Sequence, residues 1–397
     1  MEDMDMNKKT DKNLVDCLRD FKGKTILITG HTGFKGGWLA LWLESLGAKV
    51  IGLALPPPTE PSFLESTNLV NKITHIIGDI REFDQVSSVM KKYRPEFVFH
   101  LAAQPLVRRS YIEPVMTFDT NVMGTVNVLE AVRSTPSVKV CICITSDKCY
   151  ENREWDYAYR ENDRMGGKDP YSASKGAAEL IISSYRNSFF SPDKISSHGV
   201  SLSSVRAGNV IGGGDWAEDR IVPDCIRALT ADKSIMVRNP QSIRPWQFIL
   251  EPLYGYLLLA INMRKQPDKY AGAWNFGPTY TGNICVGDLV KEIVSEWGKG
   301  KFEFPQSQVT DVFHEAGTLK LDCTKSNNIL GWTPAYSVKK SLEETIAWYL
   351  AYYGNKEQMD KYSISQIMAY QEYGKSQRVP KLKIDTKSTI GSGSNTQ

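Results

Sequence analysis

The chain has 397 residues, 41% hydrophobic and 23% charged, with a net charge of +3. That balance describes a globular chain of about two domains, or one large core with an added lobe; it holds no basic footprint for nucleic acid or a membrane surface, and no apolar run nears the ~20 residues of a membrane span. Seven cysteines are scattered from Cys17 to Cys323, and the one close pair, Cys141 and Cys143, lacks zinc spacing, so a reduced, cytoplasmic chain without a metal is expected.

Residues 1–20 read as a polar lead-in that is no signal peptide, and 375–397 as a disordered tail rich in Ser, Thr and Gly. Between them strands and helices alternate. "KTILITG" (24–30) is a β-rich run and "GGWLALWLESLG" (36–47) a helix that closes on glycine. "AKVIGLAL" (48–55) and "ITHIIGDI" (73–80) are strands, and "REFDQVSSVMKKY" (81–93) is a helix. "PEFVFHLAA" (95–103) is a fourth strand, "FDTNVMGTVNVLEAVRS" (118–134) an amphipathic helix, and "VKVCICITS" (138–146) a fifth strand. A long helix, 171–190, and a sixth strand, 199–210, follow. "LYGYLLLAI" has the length of a buried helix segment. This order predicts an α/β fold with a doubly wound parallel sheet, of Rossmann type, over 21–205. The looser remainder, 206–355, is assigned to a smaller C-terminal substrate-binding lobe, interleaved with returns to the first domain near 240–265.

"TGHTGFKG" (29–36) follows a strand and opens a helix, as a dinucleotide fingerprint must. Gly30 permits the tight turn, Gly33 lets backbone approach a pyrophosphate, and Gly36 lets helix and sheet pack closely; Thr32 and Phe34 lie in the same loop. The acid expected at the end of the second strand, to hold the adenosine ribose, is replaced by Pro56. No arginine replaces it for a 2′-phosphate, so the expected cofactor is NAD. Asp79, beside Ile80, offers a carboxylate to the adenine amino group, or else a cap to the next helix.

"YSASK" places Tyr171 and Lys175 four apart at the start of a helix, on one face. An ammonium near a phenol favours phenolate, so Tyr171 is a candidate base for a sugar hydroxyl. "ITSDKCY" (144–150) ends an apolar strand in Thr145, Ser146, Asp147 and Lys148, groups that are costly to bury unless paired or used. Cys149 beside them reads as a small core residue. The order "TGHTGFKG", "HLAAQP", "ITSDK", "YSASK", "RAGNVIGGGDW" resembles the extended short-chain dehydrogenase/reductases that act on nucleotide sugars. Within them, "HLAAQPLVR", "TSDKCYENREW" and "RPWQ" resemble the branch that dehydrates CDP-glucose.

The resemblance covers about residues 21–350 and implies three steps on one bound hexose: C4 oxidation by NAD with Tyr171 as base, loss of water across C5–C6, and return of hydride to C6. Thr145 and Ser146 then hydrogen-bond the C4 oxygen, and Asp147 protonates the departing hydroxyl. Lys148 stands where dTDP-glucose relatives carry glutamate, either as base for the C5 proton or as a charge that stabilises the enolate. A plain ion pair of Asp147 with Lys148 is the alternative to both. Leu101, Ala102, Ala103, Gln104 and Asn121 are implied to line the cofactor; for Asn121 a buried structural role reads equally well. Asn209 and Arg244 are candidates for the sugar diphosphate, since guanidinium binds phosphate oxygens bidentately; Arg108 is a candidate to reach toward substrate, with a solvated arginine as the alternative. Trp216 and Trp246 are candidates for stacking on base or sugar, with plain packing as the alternative. The family also implies a homodimer or homotetramer built on helices 118–134 and 171–190. Two other functions stay open from the residues alone: 4-epimerisation of a nucleotide sugar, which has no use for the Asp147–Lys148 couple, and non-catalytic NAD binding.

Overall fold

The structure is a computed structural model, and it describes residues 16–237, 239–279, 283–304 and 318–378. Most of the two tails expected at 1–20 and 375–397 lies outside them. The parts inside are not tails. Asp16–Phe21 form a 3-10 turn that buries Leu18 and Phe21, and the last helix runs to Arg378.

Seven parallel strands make the central sheet: β1 (Thr25–Thr29), β2 (Lys49–Ala54), β3 (Thr74–Ile77), β4 (Phe97–His100), β5 (Val140–Ile144), β6 (Ser201–Ala207) and β7 (Gly272–Phe276). Their order is β7-β6-β5-β4-β1-β2-β3. The winding reverses between β1 and β4, which opens a crevice at the carboxyl ends of those strands. β-Branched and aromatic residues dominate the strands, and successive side chains enter opposite cores. Ile26, Ile28, Phe97, Phe99, Val140 and Ile142 face one core; Leu27, Val98, Cys141 and Cys143 face the other. The C-x-C spacing is thus strand spacing: two free thiols lie on one buried face, with sulfurs 4.0 Å apart.

Helices cover both faces: α1 (Phe34–Ser45), α2 (Phe83–Tyr93), α3 (Gly124–Arg133), α4 (Pro170–Ser188) and α5 (Leu250–Lys265). α4 starts where its sequence says it should, because Asp169 accepts from the Ser172 N–H and Pro170 needs no partner at the first turn. The single helix expected over 118–134 is broken. Pro114–Phe118 leads into a π-turn, Asp119–Met123, and only then into α3. The wide turn directs Asn121 inward, where it is buried. α5 is apolar on all sides because both sides are covered, one by the sheet and the other by C-terminal segments around Trp332 and Tyr370.

The smaller lobe holds the helices Ile221–Thr230 and Val286–Trp297 and three short strand pairs. Two further helices, α6 (Val338–Gly354) and α7 (Met359–Arg378), return to the core. The sequence reading assigned no element to 356–374, where α7 lies. Trp348 of α6 lies flat over Gly213: a Cβ there would stand 2.0 Å from the indole. Gly213→Ala is therefore expected to lower stability by about 2–3 kcal/mol, read as a lower denaturation midpoint, and Trp348→Phe in the same chain should recover part of the loss.

Candidate active site

The glycine loop leaves β1 at Gly30, whose φ of +81° only glycine adopts easily. A Cβ at Gly30 would stand 2.6 Å from the Ala102 amide, and one at Gly36 would stand 2.1 Å from the Gly30 carbonyl. Both glycines are demanded by the protein's own packing. Gly33 is not: its nearest neighbour would be the Gly30 carbonyl at 3.5 Å. It caps α1 without a side-chain acceptor, so the first N–H groups of the helix are not taken by a cap. A pyrophosphate at this helix start fits that arrangement. On the β2 side the imidazole of His31 lies against Gly52, and its Nε2 is 2.6 Å from His75 Nδ1. Burial drives its pKa down to about 3, so it is neutral.

At the end of β5 the chain enters a 3-10 turn, Asp147–Cys149, capped by Ser146, whose Oγ accepts from the Lys148 N–H at 3.2 Å. That turn is why an acid and an amine follow a buried strand. Ser146 also donates to Asp147 Oδ1 at 2.9 Å, and its side chain lies close enough to the Tyr171 phenol to pull its pKa down. Asp147 is buried, and burial raises its pKa against the pull of Lys148 and Ser146. Its Oδ2 lies 3.1 Å from where Gly208 would carry a Cβ, so that glycine makes room for the carboxylate. Lys148 is half-buried and lines a small pocket with Tyr150, Asn152 and Asp169. Thr145 turns away from this group and donates to Glu179 on α4.

Tyr171 and Lys175 sit side by side on α4, both buried. Burial pushes Tyr171 up to about 12, with the Ser146 side chain and Arg220 pulling against it. Burial also brings Lys175 down to about 8.

The remaining candidates divide. Leu101 and Ala102 face the glycine loop across β1–β4, and Ala103 follows them, half-buried. Asn121 spends its whole amide on the protein: Oδ1 accepts from the Gln104 N–H at 2.8 Å, and Nδ2 donates to the Gln104 carbonyl and to Ser174 Oγ. Gln104 is likewise bonded to Leu106 and Thr117. Both side chains brace the loop and α4 rather than offer donors to a cofactor. Asp79 is gripped by Arg81, at 2.9 and 2.6 Å, and does not cap α2, whose cap residue is Glu82. Ile80 packs under Gly124. Arg108 reaches Asp219 of the smaller lobe at 3.7 Å. Asn209 accepts from the Gln247 N–H through its carbonyl, and Arg244 is half-buried on the strand Ile243–Pro245. Trp246 is buried with no protein partner for its indole N–H. Trp216 packs against Trp348, Tyr349 and Tyr352 at 5.7, 5.8 and 5.0 Å and belongs to the core, not to a stacking platform.

Three groups near Asp147 and Tyr171 escaped the sequence reading. Lys35 is the lysine of "GFKG"; burial, with Arg220 and Lys175 nearby, lowers its pKa to about 8. Arg220 pairs with Asp215 at 2.9 Å and bears on Tyr171. Tyr256, on α5, keeps a buried hydroxyl with no protein partner beside the Lys35 ammonium and within the field of Asp147. Only Lys35 had a signal in the sequence, its place in the glycine loop.

The family described as GDP-mannose 4,6 dehydratase matches residues 27–345. A CDP-glucose 4,6-dehydratase of Salmonella typhimurium is 47% identical over 351 residues, which cover 88% of this chain and 97% of that protein. Among solved structures, an epimerase of Methanothermobacter thermautotrophicus superposes with a TM-score of 0.71 at 21% identity, covering 87% of this chain and 98% of its own. A dTDP-glucose 4,6-dehydratase of Bacillus anthracis in complex with NAD gives 0.68 at 21% identity, covering 86% and 100%. These two likenesses show the fold.

Two outcomes follow from the geometry. Gly33→Ala is expected to unfold within about 1 kcal/mol of the parent yet lose dinucleotide affinity at least tenfold by calorimetry, since its Cβ meets only the ligand's space. Lys175→Met should raise the melting temperature at pH 7. The folded pKa of about 8 lies below the unfolded 10.5, so charging the buried amine costs stability in full below pH 8. The gain should fade as pH climbs from 8 to 10.5.

Proposed function

The chain belongs to the GDP-mannose 4,6 dehydratase family, and we propose that it removes water from CDP-glucose to give CDP-4-keto-6-deoxyglucose. Its cofactor is NAD, and its substrate class is the nucleotide sugar. What carries the reading is one arrangement: a phenol, a hydroxyl and a buried acid, Tyr171, Ser146 and Asp147, linked at the carboxyl end of β5.

NAD held at the glycine loop, by Gly30, Gly33 and the start of α1, would supply a hydride acceptor for C4 and, once reduced, a hydride donor for C6. Tyr171 takes the C4 hydroxyl proton, while Ser146 holds that oxygen. The ketone acidifies the C5 hydrogen, and Lys148 removes it. Asp147, whose pKa burial raises, gives its proton to the departing C6 hydroxyl, which leaves as water. A proton returns to C5 as hydride reaches C6, so oxidation and reduction cancel. Arg220 and Arg244 supply cations for the diphosphate. The chain divides accordingly: the glycine-loop half, about 21–205, would hold NAD, and the lobe after 206 the nucleotide sugar.

The same family reading implies a homodimer or homotetramer. Ile112, Val115 and Leu180, 74%, 81% and 63% exposed, lie on helices packed together around α4, an apolar face suited to a second copy. Among the described residues no helix is long and apolar enough to cross a membrane, and all seven cysteines are free, which suits the cytoplasm.

A panel of glucose nucleotides, followed by product mass, tests the function. CDP-glucose is expected to lose one water; an unchanged mass would make the protein an epimerase. Asp147→Asn should still oxidise C4 but stall before water loss, so the absorbance of reduced cofactor builds up. Val115→Asp with Leu180→Asp should move the sedimentation coefficient from dimer to monomer.

A further inference from the structure

Behind the catalytic end of β5 lies a second polar cluster that the reaction above does not use. Glu179, two turns beyond Tyr171 on α4, is buried, as is Arg206 on β6. Glu179 Oε2 accepts from Arg206 Nη2 and Ser204 Oγ, both at 2.7 Å; Oε1 accepts from Thr145 Oγ1 at 2.5 Å. Arg206 continues to the Tyr150 hydroxyl at 2.7 Å and the Glu161 carbonyl at 2.9 Å. Three donors around one carboxylate, one of them a guanidinium, are satisfied together only if the carboxylate is ionised. Burial alone would raise the pKa of Glu179, but Arg206 and the hydroxyls hold it below the usual range.

Proton counting then constrains Thr145. Its hydroxyl has one hydrogen, and its other near neighbour, the Val205 carbonyl at 3.3 Å, is also an acceptor. Whichever it chooses, no proton is left for the sugar. The Thr145 N–H is spent as well, on the Val205 carbonyl at 2.9 Å. Ser146 differs in direction rather than in proton count: its Oγ donates to Asp147 Oδ1 and accepts from the Lys148 N–H, so it faces the acid and the Tyr171 phenol instead of Glu179. Adjacent hydroxyls therefore point to different tasks.

We propose that Glu179 is a positioning residue for this reaction: by holding the Thr145 hydroxyl it pins the end of β5, so that Ser146 alone of the pair meets the C4 oxygen. The inference rests on the reading of the preceding subsection. It takes Thr145 out of the catalytic set and makes it the tether through which Glu179 acts. A loosened tether lets Ser146 and Asp147 drift from Tyr171, which slows the chemical step without weakening substrate binding.

The test compares Glu179→Gln, Thr145→Val, their combination and Thr145→Ser, with CDP-glucose and its C4-deuterated form. Each of the first two is expected to lower kcat roughly tenfold with KM nearly unchanged, and to raise the deuterium isotope effect on kcat as hydride transfer becomes limiting. The double variant should be no slower than the worse single one, because both cut the same tether. Thr145→Ser, which keeps the hydroxyl, should restore rate and isotope effect. Loss of folded enzyme alone would lower the rate but leave the isotope effect where it was, and that result overturns the proposal. So do losses that multiply in the double variant. If Glu179→Gln does not fold, because Arg206 is left without its counter-charge, Thr145→Val against Thr145→Ser decides by the same isotope criterion. A wild type that releases no dehydrated sugar overturns both readings; an active wild type with multiplying losses overturns the role of Glu179 alone.

Discussion

One buried ion pair, Glu179 with Arg206, sets the terms for the catalytic end of the sheet. It joins α4 to β6 directly, β5 through Thr145, and β7 through Tyr150 and Asn275. Such a pair adds little net stability over a well-packed apolar pair, but removing one partner leaves an uncompensated charge, at about 3–5 kcal/mol. Its value lies in direction. The donors that converge on Glu179 come from the end of β5 and from β6, so the strand ends and the helix that carries Tyr171 are held in one register.

Above that anchor, burial acts on each titratable group in the same sense. It raises Asp147 and Tyr171 and lowers Lys175 and Lys35, each toward its neutral form. A carboxyl raised in this way is the better proton donor, and an amine near 8 exchanges its proton readily. The cost is borne by the fold: buried amines that would rather be charged in the unfolded chain favour unfolding until the pH exceeds their lowered values.

Much of this was legible in the sequence because it depends on short-range pattern. The strand alternation in "VKVCICI", the three glycines and the Tyr171–Lys175 spacing each translate directly into a face, a turn or a register. Other features depend on what arrives from far along the chain. Trp216 looked available for stacking, but α6, more than a hundred residues later, closes over it. Asn121 and Gln104 are polar residues in a cofactor-like position, and only the π-turn shows that they satisfy each other. The directions of the Thr145 and Ser146 side chains could not be read from adjacency, since they are decided by Glu179 and Asp147. Lys35 and Tyr256 meet near Asp147 although α1 and α5 lie over two hundred residues apart.

Glu251 shows how late the architecture closes. This buried carboxylate, on the first turn of α5, accepts from the Ala335 and Tyr336 amides at 2.9 and 2.7 Å and from the Tyr370 hydroxyl at 2.6 Å. Tyr370 in turn packs edge-on to Trp42 of α1. The glycine-loop half, though encoded first, receives part of its cover from residues encoded more than three hundred positions later. A nascent chain still short of residue 370 lacks one donor to this acid and one of the rings packed on Trp42, so the first-encoded core is completed only when the C-terminal helix arrives.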